Sequence, residues 1–258
     1  MASFWKGRKY NLAKMSFREF LWAFATYPTV AAYMVLAAIG FGLAAHWYQS
    51  LPPLLIASVL VVVLYPLIEY VLHRWVLHAQ WMYKSPLTAT TWKRIHFDHH
   101  QDPHNLVVLF GAIHTTLPVI ILVAIPLGYL IGGLAGAATA FAVGNVVVTV
   151  YEFCHSAQHL NTAPRSRFIK RIKQLHMAHH FHNETGNYGI TSFFWDKLLG
   201  THYGAAKNIG KSATVFNLGY TEEMAKRYPW VNDLSENTRG DDNPRRFRQT
   251  TAAESTTE

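Results

Sequence analysis

The stretch "FLWAFATYPTVAAYMVLAAIGFGLAAHWYQSLPPLLIASVLVVVLYPLI" (residues 20–68) contains no Asp, Glu, Lys or Arg in the 49 residues between Glu19 and Glu69. A helix that crosses a bilayer needs about 20 apolar residues, so the run has room for two crossings and a turn. The turn lies in "HWYQSLPP" (46–53), where polar groups and two prolines interrupt the apolar pattern and Trp47 and Tyr48 suit a membrane interface. A second charge-free run, Pro103–Tyr151, is equally long and carries the glycine-rich "GYLIGGLAG" at 128–136. Helices are therefore expected near 22–45, 53–76, 105–130 and 133–156, paired as two hairpins. A soluble bundle would need a charged face on each helix, and these runs have none. They are also far longer than the apolar core of a cleaved signal peptide.

Composition agrees. Only 15% of the 258 residues are charged, against about 25% in soluble domains. The net charge of +8 suits anionic lipid headgroups, and its distribution favours them over nucleic acid. Lys6, Arg8, Lys9, Lys14 and Arg18 precede the first run; Arg74, Lys84, Lys93 and Arg94 lie between the two; Arg165, Arg167, Lys170, Arg171 and Lys173 follow the second. The two turns carry no basic residue, so the termini and the central loop are expected on the cytoplasmic side. The single cysteine, Cys154, excludes an intrachain disulfide.

Four segments are expected: an interfacial amphipathic segment at 1–20, a membrane catalytic domain at 21–204, a cytoplasmic extension at 205–232 and a disordered polar tail at 233–258. No internal repeat is evident, although each hairpin is followed by a histidine cluster.

Fifteen histidines are present, and ten fall into four motifs at or beyond the cytoplasmic ends of the helices. "HRWVLH" supplies His73 and His78, "HFDHH" His96, His99 and His100, "HSAQH" His155 and His159, and "HMAHH" His176, His179 and His180. Residues three and four apart share a helix face, so each HxxHH motif is expected to present three imidazoles to one point, and HxxxH two. The five-residue spacing of His73 and His78 puts them about 140° apart on an ideal helix. That pair must flank the site, or the helix must bend. One tetrahedral zinc needs four ligands, so ten convergent histidines point to two metal ions. Asp98, Asp102, Glu69, Glu152 and Asp196 are candidate acceptors for the free imidazole N–H groups. Phe193 and Trp195 are read as packing residues rather than channel lining. His46 and His114 sit in or beside the apolar spans and are read as bystanders; His104, His182 and His202 fall outside the motifs, His182 as a surface residue.

The motifs, from "EYVLHRWVLH" (69–78) to "LHMAHHFHNETGNYGITSFFWDKLLGT" (175–201), resemble those of the fatty acid hydroxylase/sterol desaturase superfamily, and most of all its fatty acid 2-hydroxylase branch. The "GNYG" at 186–189 is also similar to the sterol-modifying branch. The resemblance covers about Glu69 to Thr201. It implies an all-α integral membrane protein with four spans and a cytoplasmic helical cap, in which the ten histidines form a catalytic dimetal site holding two iron ions, with zinc as a substitute in purified protein. It further implies a monooxygenase that uses O₂ and two electrons to hydroxylate a lipid acyl chain next to its carbonyl. The His-Pro-Gly-Gly haem motif of fused cytochrome b5 domains is absent, so electrons are expected from a separate cytochrome b5, or from a ferredoxin with its reductase.

Within the superfamily, a sterol, carotenoid or other lipid hydroxylase or desaturase is the alternative, because the channel rather than the ligands sets the position of oxidation. A metal transporter would carry its ligands within the bilayer on a path through it, and only His46 and His114 are embedded. A membrane zinc hydrolase would need fewer ligands and a positioned general base.

Overall fold

The computed structural model describes residues 11–236. Half of the interfacial segment expected at 1–20 and most of the tail expected from 233 thus lie outside the described residues. Within them the regular structure is helical, with a single isolated bridge between Asn11 and Asn105.

Helix α1 (Phe17–Ala25) is set by a capping box: the Ser16 hydroxyl accepts from Glu19 N–H while the Glu19 carboxylate accepts from Ser16 N–H at 2.8 Å. Its inner face places Phe20 and Phe24 on Phe153 and Phe110. Phe17, Leu21 and Trp22 face outward, and Trp22 is 67% exposed. The first expected span ran from 22, but the chain breaks before Pro28, with Tyr27 extended (φ −74°, ψ 128°). Proline disfavours helical geometry in the residue before it. Leu21–Ala25 therefore end α1, and α2 begins at Pro28 and runs to His46.

Helix α3 (Leu51–Leu72) continues into a π-helical turn, His73–Leu77. Four short segments follow: Trp81–Lys84, Pro86–Trp92, a second π turn Lys93–Phe97, and Asp98–Gln101. After the short helix Leu106–Leu109, the chain enters α4 (Ile113–Gln158), so the helix expected from 105 is interrupted at 110–112. Helix α4 is broken where the glycine-rich turn was read. Gly132 (φ −144°, ψ 28°) and Gly133 (φ 56°, ψ −143°) leave helical geometry, and the Gly133 conformation is essentially restricted to glycine. The two limbs then fold back on each other. A Cβ at Gly128 would collide with the Gly136 carbonyl, and one at Gly144 would lie 2.8 Å from Ile120.

Helix α2 packs closely on the second limb, where a Cβ at Gly40 would meet Ala142 at 2.9 Å. Tyr33 hydrogen-bonds Thr116 on the first limb. At one end of the bundle, Gln49 and Ser50 line a cavity together with Gly132 and Gly133. Both turns therefore share that end, and the histidine motifs lie at the other.

Among the described residues, three helical stretches are long and apolar enough to cross a membrane: Pro28–His46, Leu51–Leu77 and Leu106–Gln158, the last containing the glycine break. Between 11% and 28% of their most apolar windows are buried inside the protein. Val35, Val59, Val63, Leu122 and Leu130 point outward, an apolar exterior that would be a liability in water and suits lipid.

Beyond α4, the described residues add α5 (Arg167–Phe181), Phe194–Leu198 and, last among them, Trp230–Glu236. That last helix runs past residue 233, where the polar tail was expected to begin. It is anchored by Val231, buried against Tyr83, Trp92 and Tyr220.

Candidate metal centre

The bend required by His73 and His78 is the first π turn. The His78 N–H donates to the His73 carbonyl at 3.1 Å, an i+5 bond that widens the turn and returns residues five apart to one face. The two Nε2 atoms come within 3.2 Å of each other. The second π turn, Lys93–Phe97, contains His96 and ends two residues before His99. His155 lies in the last turn of α4 with His159 as its C-cap, and the last histidines end α5.

The ten imidazoles converge as two groups of five. His73, His78, His96, His100 and His179 form one, and His99, His155, His159, His176 and His180 the other; within each, the ligand-capable nitrogens lie within 4.8 Å of one another. This corrects the expectation that each HxxHH motif aims at a single point. The residues four apart stay together, His96 with His100 and His176 with His180. The middle histidine of each motif, His99 or His179, crosses to the other group. The rings are near neighbours side by side on the helix, and two convergence points suffice to divide them.

Nine of the ten are buried, and His78 is partly so. Burial first, then the neighbouring imidazoles, holds His96, His99, His159, His176 and His180 well below the ordinary histidine range. Burial brings His100 down to about 3. These rings are neutral, with lone pairs free for a cation.

Main-chain carbonyls orient the first group. The Nδ1–H groups of His73, His100 and His179 donate to the carbonyls of Tyr188 (2.5 Å), Val215 (2.9 Å) and Gly186 (2.8 Å). A carbonyl can only accept, so each ring keeps its Nε2 lone pair for the centre. There, His78 Nε2 lies 2.9–3.2 Å from the Nε2 atoms of His96, His179 and His73. Two nitrogens each about 2.0–2.1 Å from a shared ion would be about 2.9–3.4 Å apart. In the second group, His159 Nε2 and His176 Nε2 are 3.0 Å apart. Both ring nitrogens of His99 and of His180 are buried without a protein hydrogen bond, as are His155 Nε2, His159 Nδ1 and His176 Nδ1. Buried polar atoms are seldom left unpaired, and an ion in this group would take one nitrogen from each of the five rings. The residues fit a dinuclear metal centre.

The carboxylates do not act as expected. Among the described residues, none of Asp98, Asp102, Glu69, Glu152 and Asp196 hydrogen-bonds one of the ten imidazoles. Asp98 pairs with Lys93 at 2.7 Å. Asp196 accepts from Tyr188 N–H, Gly189 N–H and the Thr201 hydroxyl, and Glu69 from Ile190 N–H and the Thr191 hydroxyl. They shape the 186–191 loop, which in turn presents the carbonyls of Gly186 and Tyr188. Asn187 completes this loop in a left-handed conformation (φ 55°), its side chain bonded to both the N–H and the carbonyl of Tyr203. The "GNY" turn residues hinted at that geometry.

The segment 209–216 carried no comparable signal. His182, expected at the surface, is half-buried and bonds the Ile209 carbonyl, and Glu184 accepts from Ser212 and Thr214. Gln101 bonds the Phe216 carbonyl. His104 bonds the His159 carbonyl, Phe193 packs on Ile172 and Leu175, and His46 lies at the far end.

Beside the rings is a cavity of about 130 Å³, lined by His73, His96, His99, His155, His176 and His180 among others. It shares Tyr65, Glu69, Leu72, Ile95, Thr115 and Thr116 with an apolar cavity of about 400 Å³ between α3 and the first limb of α4.

A family model described as fatty acid hydroxylase matches residues 58–201. The dihydroceramide fatty acyl 2-hydroxylase FAH2 of Arabidopsis thaliana is 34% identical over 54% of this chain and 57% of its own length. The ceramide very long chain fatty acid hydroxylase SCS7 of Saccharomyces cerevisiae is 29% identical over 58% of this chain and 38% of its own. The chain thus spans less than two thirds of the length of these curated relatives. A solved structure of full-length scs7p, with only its hydroxylase domain visible, aligns over 71% of this chain and 68% of that one, with a TM-score of 0.59 and 26% identity. With more than half its residues inside the family model, and the histidine motifs falling in that region, the chain belongs to the fatty acid hydroxylase family.

Proposed function

We propose that this protein is a membrane hydroxylase that places a hydroxyl group on a lipid acyl chain at the carbon next to the carbonyl. The observation that carries the reading is the pair of five-imidazole groups beside a cavity that shares six lining residues with an apolar one. The Arabidopsis relative, named as a dihydroceramide fatty acyl 2-hydroxylase, supports the position of oxidation.

In this reading each group of five histidines holds one iron ion. Iron bound there supplies the activation of O₂ needed to insert one oxygen atom into an unactivated C–H bond. The chain's own part is to hold and orient. The carbonyls of Tyr188, Val215 and Gly186 fix the ring planes of His73, His100 and His179. The apolar cavity receives the acyl chain from the bilayer and excludes water, and its junction with the histidine cavity sets which carbon meets the centre. Electrons come from a donor protein such as cytochrome b5, or a ferredoxin with its reductase.

The membrane arrangement is part of the proposal. The two limbs of α4 each cross the bilayer, giving four spans with α2 and α3. The termini and the histidines lie on the cytoplasmic side, as the flanking Lys and Arg residues favour. Cysteine labelling should place Thr88 on one side of the membrane and Gln49 on the other.

The activity itself is tested by lipid mass spectrometry of cells with and without the chain. The expected product is an acyl lipid heavier by one oxygen atom, located next to the carbonyl by fragmentation. An oxygen elsewhere on the chain, or a new double bond, would move the protein to another activity of the superfamily.

A further inference from the structure

A series of aromatic rings runs from the first histidine group to the protein surface. Tyr188 packs edge-on against three of that group's imidazoles, its ring centroid 5.1 Å from His78 and 5.7 Å from both His73 and His179. Tyr70 meets Tyr188 at 6.0 Å with the two rings perpendicular (90°), and Trp75 meets Tyr70 at 6.0 Å and 87°. All are edge-to-face contacts within the usual range. Tyr188 and Tyr70 are buried, whereas Trp75 is 50% exposed. Acyl binding and ligand bracing use none of these three side chains.

Tyr70 is the member equipped to release a proton. Thr201 has one hydroxyl hydrogen and donates it to Asp196 Oδ1 at 2.8 Å, so across the 3.0 Å contact between Tyr70 and Thr201 the tyrosine is the donor. The three residues form a directed path from a phenol to a buried carboxylate. The Arg74 guanidinium donates to the same phenol oxygen at 2.7 Å and lies 5.2–6.0 Å from the centroids of all three rings. A fixed positive charge that close opposes a second one on any of them. A ring that gives up an electron here must therefore give up its proton as well.

We propose that Tyr70 and Trp75 are a protective electron source for the metal centre. When O₂ has been reduced there and no acyl chain is in reach, they supply the missing electron and carry the oxidising equivalent to the surface. Tyr70 loses one electron across Tyr188 to the site and its phenolic proton through Thr201 to Asp196, leaving a neutral phenoxyl radical. Trp75 then gives an electron to Tyr70, whose proton returns from Asp196, while the indole proton of Trp75 goes to water. A small reductant such as a thiol restores Trp75; without one, O₂ adds to the indolyl radical and the residue is left oxidised. This rests on the hydroxylase reading above but concerns what becomes of the oxidant when no lipid is bound.

The fate of the protein's own side chains tests it. Iron-loaded protein in detergent is given a chemical reductant and O₂ without lipid or thiol, and oxidised residues are mapped by peptide mass spectrometry. Oxygen incorporation at Trp75 is expected several-fold above that at Trp81, which is equally exposed (52%) but outside the ring series. Tyr70→Phe should cut oxidation of Trp75 to the Trp81 level and move it onto the histidines, at unchanged iron content. Thr201→Val, isosteric but without the proton relay, should do the same more weakly. Trp75→Phe strands the radical on Tyr70 and should give a tyrosyl signal in electron paramagnetic resonance; being at the surface, it decides the matter if Tyr70→Phe fails to fold. Equal oxidation of Trp75 and Trp81, or oxidation of Trp75 that survives Tyr70→Phe, would overturn the proposal, because a diffusible oxidant would then account for it. So would the absence of a tyrosyl signal in Trp75→Phe. Iron-loaded protein that oxidises neither its own side chains nor an added acyl lipid would instead fault the hydroxylase reading, and the proposal with it.

Discussion

Two groups of five imidazoles lie side by side, drawn from the same four motifs, yet the protein holds them differently. In the group containing His73, three rings are fixed by carbonyls from outside the helices that carry them: Tyr188 and Gly186 in one loop, Val215 in another. In the group containing His99, ring nitrogens on all five histidines are buried without a protein hydrogen bond. Protein carbonyls brace the first group; in the second, an ion would have to supply more of the bracing. The price of binding should therefore differ, since preorganised ligands lose less freedom.

The largest effect expected from this difference is at the second group. His99→Ala and His180→Ala should each abolish hydroxylation and remove one ion per chain, because each deletes a ring with no other hydrogen bond to hold its surroundings. Membrane insertion, which depends on the apolar runs, should be unchanged. Near-normal turnover by either variant at normal expression would remove the histidine groups from the chemistry.

The brace on the first group should give the next largest effect. Asn187→Ala loosens the loop that presents both Gly186 and Tyr188, and is expected to cost about 10–100-fold in metal affinity. The loss should appear at one of two binding steps in a metal titration. Glu184→Ala, which frees Ser212 and Thr214 beside Val215, should affect the same step less. Equal weakening of both steps would show that the two groups are not held independently.

Away from the histidines, Gly133→Ala should cost about 1–3 kcal/mol in stability through its backbone conformation. Thermal unfolding in detergent should fall while metal content stays at the wild-type level. His46→Ala, at the far end of the bundle, should leave both activity and metal content essentially unaltered.

How much of this was legible in the sequence follows from the range of the forces involved. The charge-free runs, the glycine turn and the ten histidines are local patterns, and they place the helices and the site. The break before Pro28 was also written locally, in a proline that the apolar run overshadowed. The π turns were not: the His73–His78 spacing demanded a distortion, but its form depends on the rings that must meet. The exchange of His99 and His179 between groups depends on where the four motifs lie in space, which no single motif specifies. The carbonyl braces were the least visible. Any residue can supply a main-chain carbonyl, so Val215, 115 positions from His100, bears no chemical mark of its role, whereas carboxylates advertise themselves and here hold loops instead.

If each imidazole group holds one ion, metal analysis of purified, catalytically active protein should find two ions per chain, falling to one in His99→Ala. Zinc in place of iron after purification would leave that count intact, since zinc outcompetes ferrous iron for such ligands. A reproducible count of one or none in active wild-type protein would contradict it.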